Sequence, residues 1–257
     1  MSFVQVRDVW QRYGTRSIIE RVNLSVEEGA FISIVGASGC GKSTFLRLLL
    51  AEEQPTRGEV SVAGAPPARE PDRARGVVFQ RYSVFPHLSV RDNIVAAESF
   101  GTRLGWLWGA RLREAKARAD ATLARIGLDH VAGHYPAALS GGMQQRLAIA
   151  QALTARPRIL LLDEPFGALD PGTRVQMHDF LTELRAENPM TVFMVTHDLA
   201  EGFKLGDRVL VFDKPRWDPH APDAYGATIT YDFDARHGGI PYHHLREKVD
   251  EPAFAKA

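Results

Sequence analysis

Gly36-Ala37-Ser38-Gly39-Cys40-Gly41-Lys42-Ser43 stands between an apolar run at 31–35 and an apolar helical stretch at 43–50. It matches the pattern G-x-x-x-x-G-K-[ST] in the strand-to-helix setting in which that pattern cradles phosphates. The glycines let the backbone wrap with its N–H groups inward, and the helix start adds a partial positive charge, so main chain does most of the holding. Gly36, Ser38, Gly39, Cys40, Gly41, Lys42, Ser43 and Thr44 are therefore expected to bind a nucleoside triphosphate. Lys42 is expected to reach the β and γ phosphates and Ser43 to ligate Mg²⁺. A bare glycine turn with no ligand would explain the string but not its setting.

Around this loop, short apolar or alternating runs recur at 3–9, 31–35, 76–80, 158–163, 191–196 and 207–212, separated by helical stretches. That is the texture of an α/β fold with a largely parallel sheet. Four of the runs are dense in Ile, Val, Leu or Phe, as strands buried on both faces are. From 81 to 155 the pattern changes: 89–99 and 110–126 read as helices, and no strand interrupts them. This span predicts a helical subdomain inserted between two halves of the α/β core. Beyond Phe212, Pro215, Pro219 and Pro222 break the pattern, and 226–233 reads as one more strand before a polar end.

Composition narrows the functions. Lys plus Arg number 31 against 31 Asp plus Glu, so the chain carries no net positive field to bind nucleic acid or anionic lipid. Its one cysteine, Cys40, excludes an internal disulfide and a Cys-based zinc cluster, and fits a reducing compartment. No apolar run approaches the roughly 20 residues that cross a bilayer. The opening Met1-Ser2-Phe3-Val4-Gln5-Val6 lacks the basic stretch and apolar block of a secretory signal, which points to the cytoplasm.

A second motif follows more than a hundred residues later. Ile159-Leu160-Leu161-Leu162-Asp163-Glu164 is an apolar strand ending in two acids. Asp163 is placed to hold Mg²⁺, and Glu164, one residue further out, to polarise the attacking water. Alternatively the two acids only cap the following helix.

Leu139-Ser140-Gly141-Gly142-Met143-Gln144-Gln145-Arg146, just upstream, decides between classes of phosphate-loop protein. Physically it is a Ser N-cap followed by two glycines that leave first-turn N–H groups open, read alone either as a second anion site at a helix start or as an ordinary cap for the helix at 143–153. The string resembles the signature motif of ABC-type ATPases. Other marks of that family stand in order: Gln80 after Val77-Val78-Phe79 resembles the Q-loop, Ala168-Leu169-Asp170 the D-loop, and His197 in Val195-Thr196-His197-Asp198 the switch histidine. Tyr13 stands where the family places an aromatic that stacks on adenine. The resemblance covers 3–213.

The resemblance implies an α/β phosphate-loop ABC ATPase cassette with a RecA-like core, an N-terminal antiparallel β region and an inserted α-helical subdomain. The divisions expected are 1–80 for the first part of the core, 81–155 for the helical subdomain with the signature, 156–215 for the second part of the core, and 216–257 for a tail of unassigned role. It implies ATP and Mg²⁺ as cofactors, with Gln80 beside Ser43 and Asp163 at the metal. Lys42, Glu164, His197 and Gln80 form the catalytic set, and Ser140 and Gly142 act on the γ phosphate held by a second copy of the chain. Further partners implied are a transmembrane permease and a solute-binding protein, with the chain peripheral at the cytoplasmic face of the inner membrane.

A single motif set on one chain resembles the separately encoded ATPase of a bacterial importer, most of all the nitrate, sulfonate and taurine branch. A small anionic or nitrogen- or sulfur-containing solute follows. Gln144 and Gln151 depart from that branch, which often has Arg there. The competing reading is a mechanical ABC ATPase coupled to a cell-envelope protein without solute transport.

Weaker signals complete the reading. Cys40, beside Lys42 and a helix start, is expected to have a lowered thiol pKa and to be open to modification. The stretch 82–88 resembles the groove that receives a permease helix, the alternative being a packed aromatic loop of the helical subdomain, and Trp106 and Trp108 read either as a contact for the same partner or as core. His237, His243 and His244 lack regular ligand spacing and read as a solvated tail.

Overall fold

The computed structural model describes residues 2–66, 75–79, 84–99, 109–221 and 223–236. Its elements run β1 (Val4–Tyr13), β2 (Arg16–Val26), β3 (Phe31–Val35), α1 (Lys42–Leu50), β4 (Arg57–Val62), β5 (Arg75–Val78), α2 (Val90–Ser99), α3 (Ala110–Arg125), α4 (Gly141–Thr154), β6 (Ile159–Asp163), α5 (Pro171–Glu187), β7 (Thr191–Val195), α6 (Leu199–Leu205), β8 (Arg208–Asp213) and β9 (Thr228–Asp234). They fall into two compact units, one of Met1–Asp72 with Thr191–Ala257 and one of Arg73–Met190.

In the first unit, β3 (Phe-Ile-Ser-Ile-Val) is buried along its whole length. Such a strand needs partners on both edges. It has them in β7 and β8, both parallel, with Phe31 opposite Val192 and Ile32 opposite Arg208. β9 adds an antiparallel outer strand on β8, Val209 opposite Phe233. The alternation at 226–233 is thus realised, two residues later than expected. β8 leads into α1 through packing: the Phe45 and Phe212 rings lie 5.1 Å apart.

β1, β2 and β4 form a separate antiparallel sheet with β1 in the middle. Only the start of β1 stood out as a strand in the sequence. β2 and β4 did not, because a sheet buried on one face alternates with charge, and Arg16, Glu20 and Arg21 interrupt the apolar residues Ile19, Val22, Leu24 and Val26. Asp8 and Arg21 adopt positive φ of 44° and 51°, close to register shifts that bend β1 against its partners.

The second unit pairs β5 with β6 in parallel, Arg75 opposite Ile159. Leu160, Leu161 and Leu162 are wholly buried, each worth about 1.5–3 kcal/mol against exposure. From 84 to 154, the described residues hold the three helices α2, α3 and α4 and short helical turns, with no strand. α3 turns Ala115, Ala119 and Leu123 inward at four-residue spacing, so a charge-rich helix keeps one apolar stripe. Its outer face is tied by Arg125 to Glu183 on α5 at 2.8 Å and by Arg118 to Glu98 on α2.

Candidate phosphate-binding and hydrolytic site

The loop between β3 and α1 has the backbone its glycines permit. Gly36, Gly39 and Gly41 take φ of 153°, 77° and 95°. A Cβ on Gly36 would come within 2.1 Å of the Phe212 carbonyl oxygen, so at this position only glycine lets loop and sheet approach. Ser38, Gly39 and Ser43 are exposed, and Lys42 is buried. A buried ammonium must be satisfied. Lys42 Nζ donates to the carbonyl oxygens of Gly36 and Ala37 at 2.7 and 2.8 Å, which centres it in the loop.

Tyr13 closes β1 with its ring 46% exposed, an open apolar face fit for stacking. Its hydroxyl donates to Glu53 Oε2, and the Thr44 side chain is hydrogen-bonded to it as well. Burial, reinforced by the Glu53 carboxylate, pushes the Tyr13 hydroxyl above its ordinary pKa, so it stays a donor. Glu53 also accepts from Gln11 Nε2 at 3.1 Å. Gln11 and Glu53 were not singled out in the sequence, since neither belongs to a motif.

His197 follows β7 and is exposed. The residues beside it are anchored: Thr196 Oγ1 donates to Glu201 Oε2 at 2.6 Å, and Asp198 caps α6 by accepting from the Glu201 N–H at 3.1 Å. The imidazole is thereby presented from a rigid stem.

In the second unit, β6 delivers Asp163 and Glu164 half-buried at its end. Glu164 has φ of 50°, a left-handed conformation that costs a non-glycine residue about 1–2 kcal/mol. Its carbonyl accepts from Gln145 Nε2 and from the Gly167 N–H, each at 3.3 Å. The strained turn is thus held by the signature helix itself, a role for Gln145 that the motif alone did not reveal.

Ser140 is the N-cap of α4 and accepts from the Met143 N–H at 3.3 Å, as its residue type implied. In the first turn Gly141 is exposed and Gly142 half-buried. A Cβ on Gly142 would lie 3.3 Å from the Leu169 side chain, so signature and D-loop are neighbours within this unit. Asp170 caps α5, and hydrogen bonds from the Thr173 side chain and backbone hold its carboxyl below the usual carboxylate range.

Gln80 lies outside the described residues, as do Tyr82, Ser83, Trp106, Trp108, Pro222, His237, His243 and His244. The following loop is described. Wholly buried Asn93 accepts from the Phe85 N–H at 2.7 Å and donates to the carbonyls of Phe85, Leu88 and Ser89. A buried amide in an apolar helical run was the available signal for this clasp.

The expectation for Cys40 is corrected. Burial pushes its thiol above the ordinary pKa, outweighing the pull of the Lys42 ammonium, whose Nζ is 3.8 Å from Sγ. The loop closes over the sulfur, so desolvation of the thiolate exceeds the help from its cationic neighbour. Iodoacetamide is expected to alkylate Cys40 more slowly in the folded chain than in urea at the same mildly alkaline pH. Equal rates would contradict it.

Among the described residues no three His, Cys, Asp or Glu side chains group as a metal cage. Mg²⁺ seldom uses one; it takes one or two protein oxygens together with substrate phosphates. The Ser43 hydroxyl and Asp163 carboxylate are hard oxygen donors of that kind, and the glycine cradle is shaped for phosphate.

A phosphate-loop strand-to-helix turn, an acid-tipped strand and a Ser-capped glycine helix start define an ATP-hydrolysing cassette. The ABC transporter family model matches residues 19–167. The chain belongs to the ABC transporter family, as an ATP-binding subunit that hydrolyses ATP with Mg²⁺. An ATP-binding protein of Brucella abortus is 43% identical over 208 residues, covering 81% of this chain and 77% of that one. An aliphatic sulfonates import ATP-binding protein of Pseudomonas aeruginosa is 42% identical over 208 residues, 81% of this chain and 71% of its own length. Among solved structures, a dimeric ATP-binding cassette in a post-hydrolysis state bound to ADP and Pi superposes with a TM-score of 0.75 at 32% identity, covering 91% of this chain and 99% of that one. No helix among the described residues is long and apolar enough to cross a membrane.

Proposed function

We propose that the chain is the ATP-hydrolysing subunit of an importer for a small anionic or nitrogen- or sulfur-containing solute. It works as two copies on the cytoplasmic face of the membrane, bound to a permease that a solute-binding protein supplies. The observation that carries this reading is the Ser140-capped, glycine-bearing start of α4, whose first-turn N–H groups suit a second anion. The likeness to a sulfonate import subunit supports the solute class.

In this reading Tyr13 stacks on adenine, and Gly36, Ser38, Gly39, Cys40, Gly41 and Thr44 line the phosphate cradle. Lys42 exchanges its two carbonyl partners for the β and γ phosphate oxygens. Ser43 and Asp163, with Gln80, hold Mg²⁺, which when bound neutralises charge on the β and γ phosphates. Glu164 orients the attacking water and takes up its proton, and His197 contacts the γ phosphate from its anchored stem. Ser140 and the Gly142 N–H close on the γ phosphate held by the other copy, so each hydrolytic site is shared and ATP joins the pair. The stretch 82–88, in which Asn93 braces Phe85 and Leu88, receives the permease.

The test is a pull-down of tagged Glu164→Gln protein from native membranes in mild detergent with ATP, run beside Lys42→Ala. The first is expected to retain a polytopic permease, and the second to lose both ATP and the permease. Recovery of an envelope scaffold with few membrane spans would overturn import. Undiminished ATP binding by Lys42→Ala would remove Lys42 from the site.

A further inference from the structure

The segment that follows β8 returns across the first unit and lies along β2. The Ala227 N–H donates to the Ile18 carbonyl, the Glu20 N–H donates to the Ala227 carbonyl, each at 2.8 Å, and the Ser17 N–H donates to the Asp223 carbonyl at 2.9 Å. Ile19 and Ala227 form a parallel bridge. At the centre is Glu20, a charged residue only 8% exposed. One carboxylate oxygen takes the Arg216 guanidinium and the other accepts the Gly226 N–H at 3.1 Å. Arg216 also lies over the Tyr225 ring at 4.5 Å. A buried carboxylate spent on both a side chain and a main-chain donor of one segment fixes that segment in place, since losing either partner leaves charge unsatisfied.

What lies behind β2 makes this latch bear on chemistry. Gly226 is pressed onto the Ile19 backbone, where a Cβ would meet Ile19 C and N at 2.8 and 2.9 Å. Gly41 of the phosphate loop abuts the same two residues: a Cβ there would meet the Ile18 and Ile19 side chains at 3.1 and 3.3 Å and the Ile18 carbonyl oxygen at 3.2 Å. Tail Gly226 and loop Gly41 thus both press on the Ile18–Ile19 segment of β2. Gly41 is also the residue at φ 95° from which α1 and Lys42 depart.

We propose that Glu20, with Arg216 and Gly226, is a positioning device that clamps the tail onto β2 and thereby holds Gly41 and the phosphate loop in the geometry that binds ATP. The proposal rests on the phosphate loop as the nucleotide site. The clamp acts through Ile18 and Ile19 and touches no nucleotide, so it governs affinity and leaves the chemical step alone.

The test is isothermal titration of the purified full chain with ATP and Mg²⁺, with KM and kcat measured alongside. Arg216 is half exposed, so Arg216→Ala removes the clamp with little risk to folding; Glu20→Gln keeps an acceptor for Gly226 while losing the charge. Both are expected to weaken ATP binding about fivefold or more, the size of an ordinary coupling between sites. KM should rise, kcat at saturation should stay within about twofold, and Arg216→Lys should recover part of the affinity. Leu123→Ala, wholly buried in α3 of the second unit, serves as a control that lowers the melting temperature without changing Kd. Unchanged Kd in Arg216→Ala and Glu20→Gln, with wild-type binding intact, would overturn the clamp alone. A kcat that fell with KM unchanged would also overturn it. Failure of the wild-type chain to bind ATP would overturn the nucleotide-site reading and the clamp together.

Discussion

Glu164→Gln is expected to lower the hydrolysis rate by about 10² to 10⁴ while ATP binding persists, the usual contribution of a positioned base. The substitution removes charge and basicity at constant shape. The backbone demands at this position are carried elsewhere: the left-handed φ of 50° is fixed by Gln145 and Gly167 donating to the Glu164 carbonyl, and neither contact involves the carboxylate. The variant should therefore melt close to wild type. It should also hold its nucleotide, because the cradle is the loop between β3 and α1 and Lys42 opens α1. Single-turnover hydrolysis with the variant, beside equilibrium ATP binding, separates the two quantities. Turnover above about a tenth of wild type would remove Glu164 from the role of base. Gln145→Ala offers a contrasting lesion, since it loosens the turn and leaves the carboxylate intact.

What the sequence disclosed and what it withheld divide along a physical line. The phosphate loop was legible because its function is main-chain geometry, and glycine spacing is the record of that geometry: Gly36 and Gly41 stand where positive φ and close approach demand them. β3 and β6 were legible because burial on both faces writes an unbroken apolar run. β2 was not, because Glu20, a charge on a buried position, breaks the alternation that Val22, Leu24 and Val26 keep, and β4 was not, because it buries only Val60. Cys40 shows a different gap. Its charged neighbour and helix start could be read from the string, but the desolvation that outweighs them depends on how the loop folds over the sulfur. The Glu20 and Arg216 pair lies furthest from view, since the partners are 196 positions apart and neither sits in a motif.

Gly142→Asp is expected to abolish hydrolysis without harming the fold, and the sign of its two effects is what makes it informative. The residue lies in the first turn of α4, two positions after the Ser140 cap. An acidic side chain there is favourable to the helix, worth about 0.3–1 kcal/mol against the positive end of the helix dipole. Its Cβ would sit 3.3 Å from the Leu169 side chain, a contact that flexible side chain can yield to. Stability should hold or rise. In the proposed two-chain site the same negative charge meets the γ phosphate of the other copy, so turnover should fall by about 10² to 10³, as when a charge-stabilising donor is lost. If the damaged helix start serves a partner's nucleotide, as proposed, mixing Gly142→Asp with Lys42→Ala restores activity; it does so only where sites are shared between copies. A mixed pair has one site with both lesions and one with neither. With random pairing of equal amounts, half the pairs are mixed and about a quarter of all sites are intact. Recovery toward that fraction, from two variants each inert alone, supports hydrolysis at a two-chain site; no recovery when mixed pairs form places both motifs on one chain's own nucleotide.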